Sequence, residues 1–327
     1  MKQTLSVAPM MDWTDRHCRY FHRLLSPHAW LYTEMVTTGA LVHGDPDRHL
    51  KFNPEEQPVV LQLGGSDPAA LATSAKLGAD YGYAEINLNC GCPSDRVQSG
   101  KFGACLMAEP DLVAEGVAAM MAVTSVPITV KCRIGIDDSE DYAFLEQFIS
   151  KVAATGCTTF IIHARKAWLK GLSPKENREI PPLRYDIVEQ LKAAYPHLTI
   201  ILNGGIKTTA QIDKTLQTLD GVMIGREAYQ NPYSLAEMDA HLFGSPLPDR
   251  ADIARAMIPY IERARTDYGA SIHNVTKHMQ CLWNGLPGAR VARQMLGGAS
   301  LSSTDPARLI NETIEAVSEH QNRRLVA

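Results

Sequence analysis

Eight short apolar runs, most of them rich in β-branched residues, recur at residues 5–8, 30–34, 59–63, 84–88, 128–131, 160–163, 199–202 and 221–224. Between most of them lie stretches with helical spacing, at 67–77, 111–121, 142–154, 185–195 and 209–216. Short buried runs alternating with helices signal a parallel sheet, because parallel strands need long crossovers and the crossover helices cover the sheet. Eight such units either close into a barrel or split into an open doubly wound sheet. A barrel spreads its functional groups over the ends of many strands, whereas an open sheet gathers them at one switch point. Here the run ends offer Met10, Gln62, Asn89 with Cys92, Lys131, His163, Asn203-Gly204-Gly205 and Gly225-Arg226. The expected fold class is therefore α/β, a (β/α)8 TIM barrel.

A barrel of about 250 residues leaves part of the 327-residue chain over. One glycine and two prolines between Phe243 and Asp249 interrupt any helix, which suggests a barrel domain over 1–243 and a second domain over 249–327. In the latter, Ile253, Met257, Ile261 and Ala264, then Leu309, Thr313, Ala316 and Val317, recur at helical spacing, as expected of a small helical bundle packed on the barrel. Charged residues at 21% and hydrophobic ones at 45% fit a folded globular chain and exclude a disordered one.

The net charge of −4 argues against bulk electrostatic binding of nucleic acid, but the charge is uneven. Residues 249–327 hold 10 Lys/Arg against 8 Asp/Glu, a balance of +2 that leaves −6 for residues 1–248 and permits a local basic face. With no long apolar span and no signal-like apolar stretch at the start, no membrane association is expected and the cytoplasm is the expected location. The seven cysteines form an odd, scattered set that does not suit a disulfide framework, so reduced thiols are expected.

Asn203-Gly204-Gly205 and Gly225-Arg226 follow the seventh and eighth runs, where barrels commonly build a phosphate site from glycine-rich loops. Glycine lets backbone N–H groups approach the anion, and Arg226 adds charge. The chain has no G-x-G-x-x-G and no Walker loop, so a barrel phosphate site remains as the cofactor anchor. Lys131, His163 and Gln62, at the ends of three other runs, have the donors to hydrogen-bond a flavin ring and tune it.

The most informative stretch is Glu85 to Met107, whose Cys90-Gly91-Cys92-Pro93 sits in a long loop after the fourth run. A Cys-x-Cys pair with no matching Cys-x-x-Cys and no histidine at ligand spacing does not make a zinc site, and no metal is expected. Together with Ala8-Pro9-Met10, Val130-Lys131-Cys132-Arg133, Ile162-His163-Ala164-Arg165 and the two glycine loops, Asn87-Leu88-Asn89-Cys90-Gly91-Cys92-Pro93 resembles the tRNA-dihydrouridine synthases over nearly the whole chain. Asp12 to His17, Ser94 to Gln98 and above all Lys166 to Arg178 resemble the A subfamily.

That resemblance implies FMN contacted by Pro9, Met10, Met11, Gln62, Lys131, His163, Asn203, Gly204, Gly205, Gly225 and Arg226, with NADPH as the reductant. It implies Cys92 as the proton donor, with hydride passing from FMN N5 to uracil C6 and the proton to C5. A thiol, with an ordinary pKa of about 8.5, is still protonated near neutrality and suits general-acid work. Asn89 is placed to read a uracil amide edge, and Lys131, His163 and Arg133 to stabilise a developing negative charge. A stacked uridine must be extruded to reach a barrel mouth. Lys175, Arg178, Arg290 and Arg293 resemble the set that orients tRNA in the A subfamily, which implies uridines 20 and 20a of the D-loop. Nothing in the sequence points to an obligate protein partner. The alternative is an FMN barrel oxidoreductase acting on a small unsaturated substrate, with the helical tail serving only for dimerisation.

Overall fold

The computed structural model of the protein describes residues 3–139, 141–298 and 305–325. Eight parallel strands close into a barrel in sequence order: β1 (Leu5–Val7), β2 (Trp30–Thr37), β3 (Val59–Gly64), β4 (Glu85–Cys90), β5 (Ile128–Arg133), β6 (Thr159–His163), β7 (Thr199–Asn203) and β8 (Gly221–Ile224), with β8 pairing back to β1. The expected (β/α)8 barrel is therefore present. The helices Pro68–Asp80, Pro110–Met121, Tyr142–Ala153, Tyr185–Ala194 and Thr209–Leu216 lie where the spacing places them. Two of them start on an aspartate cap: Asp67 accepts from the N–H of Ala70, and Asp141 from that of Phe144, each satisfying a donor the first helical turn leaves over.

Side chains alternate across each strand, so every second residue faces the barrel axis. Tyr32, Val60, Ile161, Ile201 and Met223 meet there with Ala8, all fully or nearly buried, and close the interior with apolar volume. Gln62, Asn89, Lys131, His163 and Asn203 share their faces, by alternation, nearer the C-terminal ends, with Asn87 and Thr129 below them. The barrel interior thus holds an apolar cluster and, beside it, a buried polar group that rises from Glu85 to the mouth, where functional groups of such barrels collect. Strand β4 runs two residues further than its apolar run and β5 also runs two further, to Cys90 and Arg133, which pair with Cys132 and His163 in the ladders. Cys90 is consequently the last residue of a strand and only Cys92 belongs to the loop.

Among the described residues two compact units divide the chain. The barrel unit is drawn from Met1–Asp12, Trp30–Ile206 and Ala210–Gly225, the helical unit from Trp13–Ala29, Lys207–Thr209 and Arg226–Ala327. The glycine and proline stretch at 244–248 lies inside the helical unit, between helices Tyr233–Phe243 and Arg250–Tyr268, and is not where the units part. The reason is a set of ties between distant segments. Asp15 caps helix Arg16–Leu25 through the N–H groups of His17 and Cys18. The same carboxylate takes Nε2 of His278 at 3.0 Å and Nζ of Lys277 at 3.3 Å. Burial acts to raise the Asp15 pKa, but the His278 bond and charge prevail and hold it well below the usual carboxylate range. His278 Nδ1 meets the Tyr229 hydroxyl at 3.1 Å, and Tyr229 stacks on Trp13 with ring centroids 4.4 Å apart.

Within the helical unit, Ile253, Met257, Ile261 and Ala264 are buried along one face of Arg250–Tyr268. Helix Pro306–Leu325 packs against that helix and against Ala289–Gly298. Gly288, at φ +86°, brings its backbone so near Val317 that an added Cβ would lie 2.9 Å from the Val317 Cα. Among the described residues no helix is long and apolar enough to cross a membrane.

Candidate active site at the C-terminal mouth of the barrel

Alternation along β4 sends Glu85, Asn87 and Asn89 inward and Cys90 toward the surrounding helices. Burial, with Cys132 next in effect, pushes the Cys90 thiol well above its ordinary pKa, and burial pushes those of Cys132 and Cys157 up to about 12. These thiols are inert packing groups. Cys92 differs. Its N–H and that of Gly91 both donate to Oδ1 of Asn89 at 3.0 Å, an Asx turn that ends the strand and folds the loop over its own last residues. Its carbonyl accepts the N–H of Ala104 at 2.9 Å. Gly103, at φ +77°, makes that return possible, since a Cβ there would lie 2.5 Å from the Cys92 carbonyl oxygen. The backbone of Cys92 is held on both sides while its thiol stays half-buried, 3.6 Å from the Ser94 hydroxyl.

Gln62 on β3 accepts from Asn89 Nδ2 at 2.9 Å, so Gln62, Asn89 and Cys92 form one hydrogen-bonded group. Across the mouth, Lys131 Nζ donates to Asn203 Oδ1 at 3.2 Å, and Asn203 Nδ2 donates to the Met223 carbonyl at 2.8 Å. Burial first, then the charge of Arg133, brings the Lys131 ammonium down to about 8. His163 is lowered well below 6.5 by burial, then by Arg133, Lys131, Arg165 and Arg178, so its imidazole is neutral at physiological pH. Lys131 and Arg133 on β5 thus stand with the donors of His163 on β6, an arrangement suited to an anion or to developing negative charge.

Asn203 leads into Gly204 and Gly205 at φ +114° and +76°, a conformation that needs glycine. Gly204 packs on the imidazole of His163, where a Cβ would lie 2.7 Å from Cδ2, and its carbonyl accepts the Tyr185 hydroxyl at 2.6 Å. Gly225 ends the barrel unit just after β8, and a Cβ there would meet nothing within 4 Å. Pro9 and Met10 are half-buried after the neighbouring β1, whereas Met11 is 57% exposed. Arg226 opens helix Arg226–Gln230 of the helical unit.

Asn89 spends its carbonyl on the turn that carries Cys92, which makes it first a positioning group. Arg133, 3% exposed, donates from Nε to the Gly91 carbonyl at 2.8 Å and from Nη1 to those of Lys166 and Asn177 at 2.9 and 3.1 Å. Its guanidinium ties the cysteine loop to the loop after β6. Asn177 organises that second loop, taking the Trp168 N–H at 2.8 Å and donating to the carbonyls of Trp168 and Leu172. Lys175 and Arg178 flank it and are exposed. Arg290 and Arg293 are exposed on helix Ala289–Gly298 of the helical unit, with Arg293 donating to Asn284 at 2.7 Å. Glu85, Asn87, Thr129 and Ser94 are the site residues a reading of strand ends passes over, because all but Ser94 lie deeper in the barrel.

A sulfhydryl on a pinned loop above a cationic, glycine-rimmed barrel mouth fits the family whose sequence profile, described as dihydrouridine synthase (Dus), matches residues 6–321. The chain belongs to this family. It is similar to the tRNA-dihydrouridine(20/20a) synthase of Vibrio cholerae, 62% identical over 293 residues that cover 89% of each chain. It is likewise similar to the protein of that name from Xanthomonas campestris pv. campestris, 53% identical over 323 residues, 99% of this chain and 96% of that one. Among solved structures it shares its fold with an old yellow enzyme, TcOYE with pHBA, at a TM-score of 0.52 and 11% identity, over 75% of this chain and 90% of that one. At that identity the likeness concerns the fold alone.

Proposed function

We propose that the protein reduces D-loop uridines of tRNA, at positions 20 and 20a, to 5,6-dihydrouridine, with FMN at the barrel mouth and NADPH as the reductant. The relatives named tRNA-dihydrouridine(20/20a) synthase, which align with 89% and 99% of this chain, support tRNA and the positions. The observation that carries the chemistry is the half-buried Cys92 just after β4, whose N–H donates to the Asn89 side chain and whose carbonyl accepts from the Ala104 N–H.

The residues at the mouth fit an anionic flavin. Gly204, Gly205 and Gly225 present backbone without side chains, Lys131 supplies charge, and Gln62, Asn203, Pro9 and Met10 lie at or just after the ends of β3, β7 and β1, with Met11 and Arg226 following in sequence. These residues would hold FMN, which when bound and reduced would supply the hydride that no side chain can.

Cys92 then delivers a proton to C5 of the pyrimidine as a general acid. The thiolate that remains lies within electrostatic reach of both Lys131 and Arg133. Lys131 and the neutral His163 donate toward a pyrimidine carbonyl as charge develops there. Lys175 and Arg178 on the barrel unit and Arg290 and Arg293 on the helical unit contact RNA phosphates, which offsets the cost of extruding the base, about a few kcal/mol. Such an enzyme works in the cytoplasm, where its substrate is.

Incubating unmodified tRNA with the protein and NADPH, then mapping nucleosides by mass spectrometry, tests this. A gain of two hydrogens on D-loop uridines is expected. Turnover of free uridine or a small enone at a rate matching tRNA would favour the small-substrate reading instead.

A further inference from the structure

Inside the barrel, the Asn89 turn is the upper end of a longer chain of hydrogen bonds. The N–H groups of Gly91 and Cys92 donate to Asn89 Oδ1 at 3.0 Å. Asn89 Nδ2 donates to Gln62 Oε1 at 2.9 Å, Gln62 Nε2 to Asn87 Oδ1 at 2.9 Å, and Asn87 Nδ2 to Thr129 Oγ1 at 2.9 Å. Thr129 Oγ1 donates to Glu85 Oε1 at 2.7 Å, which also accepts the Tyr32 hydroxyl at 3.1 Å. Glu85, Asn87, Asn89, Gln62 and Thr129 are all buried.

Every link donates in one direction, away from Cys92 and toward Glu85. That polarity follows from chemistry. A carboxamide has a donor end and an acceptor end, so in an unbroken chain the orientation of each is dictated by its neighbour. The N–H groups of Gly91 and Cys92 can only donate, so Asn89 must accept at Oδ1 and donate from Nδ2. Gln62 and Asn87 must follow in turn, and Thr129, accepting from above, donates down to Oε1 of Glu85. Reversing any one carboxamide would set oxygen against oxygen or N–H against N–H at a buried contact.

We infer that Glu85 and Thr129, which sit below the mouth and touch none of the reacting atoms, are positioning residues that fix the segment carrying Cys92 through Asn87, Gln62 and Asn89. The inference rests on the proposed role of Cys92 for its effect on turnover, but not for its effect on the position of Cys92. Burial raises the Glu85 carboxyl to about 7, a cost consistent with a group retained for orientation and not for net stability.

Thr129→Val cuts the chain while keeping the volume, and Thr129→Ser restores the hydroxyl. Tyr32→Phe is the control, since it removes a hydroxyl from the same carboxyl without breaking the path to Cys92. Each is made in the full-length flavin-loaded enzyme. The rate of Cys92 alkylation by iodoacetamide is read by peptide mass spectrometry, with Cys281 as internal reference, and the two half-reactions by stopped-flow absorbance.

Thr129→Val should alkylate faster at Cys92 and reoxidise its flavin with tRNA about tenfold more slowly or worse, the scale of a misplaced reacting group. Reduction by NADPH should be unchanged, and Thr129→Ser and Tyr32→Phe should behave as the parent. Parental alkylation in Thr129→Val, or an equal change in Tyr32→Phe, overturns the inference. Faster alkylation with normal reoxidation supports the positioning chain and removes the proposed role of Cys92. If Thr129→Val does not fold, Asn87→Leu cuts the chain one link nearer the cysteine and must give the same pattern.

Discussion

Nζ of Lys131 donates to Oδ1 of Asn203 at 3.2 Å, joining β5 to β7 beneath the loop that begins Gly204-Gly205. The lysine is thereby held in the mouth even though burial and Arg133 pull its ammonium from 10.5 down to about 8.

A pH dependence of flavin binding follows. An anion beside Lys131 favours the charged lysine, so binding raises its pKa and takes up a proton above pH ~8. Affinity for FMN should therefore fall as pH rises from about 8 toward about 9.5, by at most about tenfold per pH unit. Lys131→Met should bind weakly and without this slope. Fluorescence titration of the apoprotein with FMN checks both, and a flat parental profile would remove Lys131 from the cofactor site.

Gly225 gives a cleaner probe of the phosphate site than Gly204. Alanine at Gly204 is strained at φ +114° and collides with His163, so its effects mix folding with binding. Alanine at Gly225 meets no protein atom within 4 Å, and a substitution free of such contacts changes stability by about 0.5 kcal/mol or less. Gly225→Ala should keep the parental melting temperature of the apoprotein and lose FMN affinity about tenfold or more, equivalent to about 1.4 kcal/mol. Equal FMN affinity would show that no anion sits against this backbone.

The strands were legible because β-branched runs mark the apolar half of each barrel strand. Their ends were less so: the apolar runs stop at 88 and 131, which puts Cys90 in a loop, yet β4 and β5 extend to Cys90 and Arg133. The positions of Cys92, Lys131, His163 and the glycine loops at strand ends followed from the barrel itself. The work done by Arg133 did not, because its partners Gly91, Lys166 and Asn177 come from separate loops. Nor was the grouping of residues 13–29 with the C-terminal helices, which depends on Asp15 meeting His278. The stretches 94–98 and 166–178, informative separately, are in contact: Gln98 Nε2 donates to the carbonyls of Pro93 at 2.8 Å and Leu169 at 2.7 Å.

Charge reversal of Arg290 and Arg293 together should weaken tRNA binding strongly while NADPH reduces the bound flavin at the parental rate. Both side chains are exposed, so folding should be little affected. If each contacts one phosphate, the slope of log affinity against log salt should become shallower by about 2. Filter binding across a salt series measures this, and a parental slope would place the RNA on another face.

If Cys92 delivers the proton, the two half-reactions separate that role from every other. Cys92→Ala should bind FMN and accept electrons from NADPH as the parent does. Reoxidation of its flavin by tRNA, followed by stopped-flow absorbance, should slow by about 10²- to 10⁴-fold, the scale of losing a positioned general acid. Cys90→Ala, which removes a buried strand thiol facing away from the barrel axis, should reoxidise normally. A Cys92→Ala enzyme whose flavin is reoxidised by tRNA at the parental rate would contradict the account and assign the proton to another group.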